Sequence, residues 1–323
     1  MAPPLDSEKG ADRLADALDA TDSTVAVVGP PFAGRESILD RAATALDAPT
    51  RVRITPDDDP ALPDADRPLI LDDCHHYYAH RIGGFEALDR FLDRLASASG
   101  RVVTSWNRYS WNYLDAVRDL SDAFRHVFTM PSLSADEIAT EVRSTVDADP
   151  SFEHPGDGRA SLVTSVEYRV PVPFSDGSSR AVRLPTVDID YLTGWLRRRE
   201  SPTAEALVFE RLARLADGNP GVARAVWEQC VASADVLTPS DVSLPVERGL
   251  DVGDDAARVL GVLVPKEVVT RHELAAVVPD VALTRTLRLL ADGDFVVDDD
   301  PVRLRPGGLP SATDTLERRR WLW

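Results

Sequence analysis

The chain has 323 residues, a formal net charge of −18 and 43% hydrophobic residues, enough for two or three domains with proper cores. Basic charge is almost all arginine, with Lys9 and Lys266 the only lysines, and acidic charge is mostly Asp. Such a surface suits high salt and excludes a global attraction to nucleic acid. Cys74 and Cys230 are the only cysteines, and neither a signal pattern nor an apolar run of the ~18–20 residues of a membrane span is present, so a soluble cytoplasmic protein with no membrane partner is expected.

In chain order, Leu5, Leu14, Ala15 and Leu18 predict a short helix over Asp6–Ala20. Thr24–Val28 is then a strand-like apolar run, followed by Gly29-Pro30-Pro31-Phe32-Ala33-Gly34 and a helix from Arg35 to about Leu46. Strand, glycine loop, helix is the context of a phosphate-binding loop. Gly29 and Gly34 have the spacing of the Walker A pattern GxxxxGK[ST], which turns successive N–H groups and a helix N-terminus toward an anion. Two positions depart from it: Arg35 stands at the lysine and Glu36 at the Ser/Thr, with Ser37 one place late. A planar guanidinium is no substitute for a slim ammonium in a tight loop. Glu36 puts negative charge where a hydroxyl meets Mg²⁺. The loop shape therefore survives better than the hydrolytic chemistry, and a plain strand–turn–helix connection fits the same residues.

Arg51–Ile54 reads as a second strand, and Asp57–Pro68 as an exposed acidic, proline-rich link. Leu69-Ile70-Leu71-Asp72-Asp73 has the Walker B layout: a buried parallel strand presenting carboxylates at its C-terminal end, where α/β folds bind ligands. Asp72 is the candidate for Mg²⁺ and Asp73 for polarising an attacking water; a strand ending in an acidic turn is the plainer alternative. Phe85–Ala96 is an amphipathic helix. Arg101–Asn107 is a strand ending in a polar group that can sense a terminal phosphate, with Asn107 the candidate and Arg108 a weaker one. Trp111–Leu120 is helical, Arg125–Met130 a strand, and Ser134 with Glu137 a capping box.

Ser161–Leu184 reads as an inserted hairpin, either a docking surface for a protein partner or a surface flap. Thr203–Ala216 is a helix, Gly218 stops it, and Pro220 opens the next, which carries Arg224 near its start. A lid over the nucleotide site could aim Arg224 at phosphates; an ordinary surface arginine fits as well. After a linker (Ser233–Gly253), helices at Ala256–Val264, His272–Val278 and Ala282–Ala291 precede a hairpin at Phe295–Arg305, the winged-helix pattern. Arg285 and Arg288 on its third helix are the candidates for DNA. From Ala256 onward ten bases face ten acids, so the first 255 residues carry the whole −18. The Asp298-Asp299-Asp300 wing tip opposes a phosphate contact.

Taken together, the glycine loop, Leu69–Asp73, Thr104–Asn107, Gly218-Asn219-Pro220 and the terminal winged helix resemble the STAND/AAA-type P-loop NTPases. The composition is similar to that of proteins from salt-loving archaea. The resemblance implies an α/β fold: a parallel-sheet P-loop NTPase core (1–150), an inserted hairpin and connecting helix (151–200), a helical lid and linker (201–250) and a C-terminal winged-helix domain (251–323). It implies an ATP- and Mg²⁺-binding regulatory switch with weak or absent ATPase. Gly29, Gly34, Arg35, Ser37 and Arg224 would hold nucleotide, Asp72 the metal, and Asp73 and Asn107 would serve hydrolysis and sensing. A DNA-binding regulator on a non-catalytic P-loop scaffold, or a protein-interaction scaffold, are the alternatives.

Overall fold

The computed structural model describes residues 23–56, 67–81, 83–98, 100–148, 150–153, 202–249 and 252–322, together with Ala17 and the backbone of two strands at 163–171 and 179–187. Side-chain alternation decides its centre. In β1 (Thr24–Gly29), Val25 and Val27 join one apolar cluster while Ala26 and Val28 join another. A strand covered on both faces in this way belongs in the middle of a parallel sheet.

That sheet has five strands in the order β2 (Thr50–Arg53), β3 (Leu69–Asp72), β4 (Val102–Asn107), β1, β5 (His126–Thr129), all parallel. One face is closed by α1 (Arg35–Ala45) through Ile38, Leu39 and Ala42. The other is closed by α2 (Glu86–Ser97), α3 (Arg108–Arg118) and an aromatic cluster around Trp106, which lies fully buried against Phe91, Trp111 and Phe124. Each such aromatic or aliphatic side chain contributes on the order of 1.5–3 kcal/mol by leaving water. The parallel register sets Gly29 beside Asn107 and Arg53 beside Asp72, so the candidate residues of three separate segments meet at one end of the sheet.

α3 starts at Arg108, three residues before the expected Trp111, because Asn107 caps it: its Oδ1 accepts from the Tyr109 N–H at 2.8 Å. The expected capping box is formed at α4 (Ala135–Thr145). α4 packs with the lid helices α5 (Ala204–Leu215) and α6 (Pro220–Ser233), and its Ile138, Ala139 and Val142 belong to their cluster. Of the expected hairpin, the structure describes the backbones of β7 (Val163–Pro171) and β8 (Ser179–Val187), which pair antiparallel; its turn and all its side chains lie outside the described residues. The expected helix at Asp6–Ala20, apart from a buried Ala17, and most of the Asp57–Pro68 link also lie outside them.

The segment Ser233–Gly253 is more than a linker: β9 (Val236–Leu237) pairs with β6 (Ser151–Phe152), and Leu237, Val242 and Val246 enter the core. The C-terminal unit runs α7 (Asp254–Lys266), β10 (Val268–Val269), α8 (Arg271–Val277), α9 (Leu283–Asp292), β11 (Val296–Val297), β12 (Val302–Leu304) and α10 (Leu309–Arg318). Its sheet has the antiparallel order β10-β12-β11, and the expected three helices followed by a hairpin are present as α7, α8, α9, β11 and β12; β10 and α10 were not anticipated. One apolar cluster spans α4, the lid and this unit, so no break in the core marks the expected boundary near 250. No helix among the described residues is long and apolar enough to cross a membrane.

Candidate functional site

The glycine loop bends through two residues in the left-handed region, Phe32 (φ 64°) and Gly34 (φ 82°). Gly29 is needed for another reason: a Cβ there would lie 2.8 Å from Met130 Sδ and 3.2 Å from Arg35 Cγ. The Arg35 side chain folds back over Gly29 and is 7% exposed. Its Nη1 donates to the carbonyls of Gly29 and Pro30, both at 3.1 Å, and its Nη2 to Asp73 Oδ1 at 3.2 Å and Glu267 Oε1 at 2.6 Å. The guanidinium is thus bonded to the loop's own carbonyls and to the acidic residues beside it. Burial works against its charge, but Glu267 and then Asp73 outweigh that and hold it above its ordinary value.

The acidic pair is equally committed. Asp72 Oδ1 accepts from Ser105 Oγ at 2.5 Å and from the Asp73 N–H at 3.0 Å. Asp73, itself left-handed (φ 58°), gives its other oxygen to Arg53 Nε at 2.9 Å. Asn107 is fully buried; its Nδ2 donates to Val264 O and to Glu267 Oε1, both at 2.9 Å. His75 accepts from the Asn107 N–H at 3.3 Å, and burial, followed by Arg35 and Lys266, keeps it neutral, well below the usual histidine range.

Glu267 was not singled out from the sequence, and it is what draws these groups together. α7 runs through Pro265, two residues past the predicted end. Its last carbonyls are satisfied from the core, Val264 O by Asn107 and Pro265 O by Ser110 Oγ at 2.5 Å. Lys266, 1% exposed, donates to the carbonyls of His75 and Tyr78. Glu267 then turns out of the helix at φ 62°. Burial pushes its carboxyl up, Arg35 pulls the other way, and Asp73 adds to the rise. No short-range motif advertises this contact, because its partner Arg35 is 232 residues away.

The remaining candidates are placed differently. Ser37 is exposed and its Oγ donates back to Gly34 O at 2.8 Å. Glu36 is exposed, 3.8 Å from Arg51. Arg224 is exposed on α6 and does not border the cleft described next. Arg285 and Arg288 are exposed on α9, one turn apart, and are therefore not part of this cluster. The acids around the hairpin are paired within the unit, Asp298 with Arg271 of α8, Asp299 with Arg303 and Asp294 with Arg305.

Beside the loop lies a cleft of about 310 Å³ bordered by Pro30, Ala33, Arg108, Met130, Asn219 and Arg248, with Leu309 and Thr313 of α10 on its far side. The Gly218-Asn219-Pro220 turn is bonded directly to the glycine loop: Asn219 Nδ2 donates to Pro31 O at 2.7 Å and the Gly221 N–H to Phe32 O at 3.1 Å. Asn219 Oδ1 meanwhile caps α6. Arg248 is paired with Asp217 at 2.6 Å. The cleft falls within the range of small-molecule sites, roughly 300–1,000 Å³. The carboxylates do not fit a divalent cation in this arrangement. The Arg35 and Arg53 guanidiniums already flank Asp73, Asp72 is turned onto Ser105, and no hydroxyl replaces Glu36.

No family model matches the chain, and no curated protein matches it. Among solved structures, it is similar to RuvB of Thermotoga maritima (TM-score 0.41, 13% identity, covering 92% of each chain). It is also similar to the ORC2 protein of Aeropyrum pernix in ADPNP–ADP complexes (TM-score 0.39, 12% identity, 99% of this chain and 96% of that one). A third is Cdc6p of Pyrobaculum aerophilum (TM-score 0.37, 12% identity, 99% and 96%). The sheet itself is parallel in the order β2-β3-β4-β1-β5, with a glycine loop after β1 and an acidic pair at the end of β3, and it makes the core a parallel α/β fold.

Proposed function

We propose that the protein is a nucleotide-binding regulatory switch with little or no hydrolytic turnover. One observation carries the reading: the cleft beside the loop is walled by all three units, Pro30 and Ala33 of the core, Asn219 of the lid and Thr313 of the C-terminal unit. A ligand bound there touches each of them, and a ligand shifts a conformational equilibrium only through such differential contacts. Base and ribose would occupy the cleft, with Arg108 the nearest cation lacking a carboxylate partner among the described residues. Slow or absent hydrolysis follows from the acidic pair, since both Asp73 oxygens already accept from arginines. No metal-dependent step is assigned.

Titration of ATP, ADP and adenosine in high-salt buffer, read as thermal stabilisation, tests the reading. A site filled at tenfold excess over Kd adds about 1.4 kcal/mol of stability. Arg108→Ala should weaken the effect, and no stabilisation by millimolar ATP or ADP would refute the reading. Restoring the loop pattern with Arg35→Lys and Glu36→Thr should raise affinity. A second reading, DNA contact through Arg285 and Arg288, is favoured by their exposed placement on one helix and opposed by the self-paired acidic wing.

A further inference from the structure

Two donors that the sequence marked for phosphate converge here on a single oxygen that belongs to the chain. Arg35 Nη2 at 2.6 Å and Asn107 Nδ2 at 2.9 Å both donate to Glu267 Oε1, at the mouth of a glycine loop that opens a helix. A guanidinium and an amide converging on one oxygen is a donor set that holds anions. The carboxylate is brought there by design of the backbone. Glu267 sits in the left-handed region at φ 62°, and the preceding residues are pinned to the core by Asn107 on Val264 O, Ser110 on Pro265 O and Lys266 on His75 O.

Charge balance gives the same answer. Arg35 and Arg53 lie against Asp73 and Glu267, while Arg51 is met by Asp40 and Glu36 as well as Asp72. Without Glu267, the two guanidiniums of Arg35 and Arg53 share the single carboxylate of Asp73. We infer that Glu267 is a tethered anion occupying the loop's terminal-phosphate position, so that the polyphosphate end of a ligand and the C-terminal unit compete for Arg35 and Asn107. The inference rests on the nucleotide reading for the identity of the ligand, and on this geometry alone for the competition. Glu267 accordingly determines whether the loop accepts a polyphosphate, and a ligand that reaches the loop releases the end of α7.

The test uses the full chain as wild type, Glu267→Ala and Glu267→Gln, with inorganic tripolyphosphate, ATP and adenosine as probes in calorimetry at fixed salt. Thermal melts identify folded variants, and Glu267→Gln, which keeps the shape and removes the charge, decides if Glu267→Ala does not fold. Tripolyphosphate should bind the variants at least tenfold more tightly than wild type, with adenosine unchanged. In wild type, saturating tripolyphosphate should speed hydrogen exchange at 264–274. Equal tripolyphosphate affinity across the three proteins, or binding to none of them, overturns the inference. If wild type binds ATP but the variants gain nothing, the nucleotide reading stands and the tethered anion falls. If the variants gain tripolyphosphate affinity while no protein responds to adenosine or ATP through the cleft, the reverse holds.

Discussion

Replacing Arg35 by methionine tests the central arrangement most directly. The guanidinium makes four hydrogen bonds, two of them to carboxylates, and is almost fully buried. Removing it leaves Glu267 with Asn107 as its one hydrogen-bond donor among the described residues, and the Asp73 carboxylate with Arg53. Breaking a buried pair by removing one partner costs about 3–5 kcal/mol, because an uncompensated charge is left behind. Arg53→Ala is an internal control. It also pairs with Asp73, but its side chain is 65% exposed, and such a pair contributes at most about 1 kcal/mol. The double variant Arg35→Met, Glu267→Met removes both charges and should lose less than the sum of the two singles, with a coupling of about 1.5 kcal/mol or more. The assay is urea unfolding at fixed potassium chloride, since urea leaves ionic strength unchanged. If Arg35→Met loses no more than Arg53→Ala, or if the cycle is additive, the buried network is not what holds the C-terminal unit on the loop.

Lys266 is pushed down to about 8, first by burial and with Glu273 opposing. A base depressed in the folded state binds fewer protons than when unfolded, so wild-type stability should rise relative to Lys266→Met by about 3 kcal/mol between pH 8 and 10.5; parallel stability curves would refute this. Gly221→Ala places a Cβ 2.6 Å from Phe32 Cβ and O. It should lift the lid from the loop at a cost of about 1–3 kcal/mol in unfolding experiments and abolish the thermal response to nucleotide. Arg285→Ala with Arg288→Ala should leave stability within about 0.5 kcal/mol while removing salt-sensitive retention of a short DNA duplex. A wild type that ignores DNA at low salt removes the DNA reading.

Much of the architecture was legible because its causes are local. Two-sided burial of Val25–Val28 and Leu69–Leu71 wrote a parallel sheet, helical spacing wrote α2, the Ser134–Glu137 box marked the start of α4, and Gly218 before Pro220 marked the lid turn. The end of α7 was misjudged because proline ends helices on local grounds. Here Asn107 and Ser110 satisfy the helix's last carbonyls, Val264 O and Pro265 O, from across the interface, and the helix runs on to Lys266. α10 was missed for want of a start signal, since Pro306-Gly307-Gly308 reads as a loop, yet it walls the cleft.

The site divides along the same line. Chain order alone located Arg35, Asp72, Asp73 and Asn107, because parallel strands must end at one edge and deliver their terminal residues together. What those residues bind was decided only by folding. A charge pair leaves no periodic trace in a sequence, and two ions 232 residues apart find each other only when packing of the C-terminal unit on the core removes water from both. That is why an arginine in place of the loop lysine reads as a defect along the chain and, in three dimensions, as one half of a buried link.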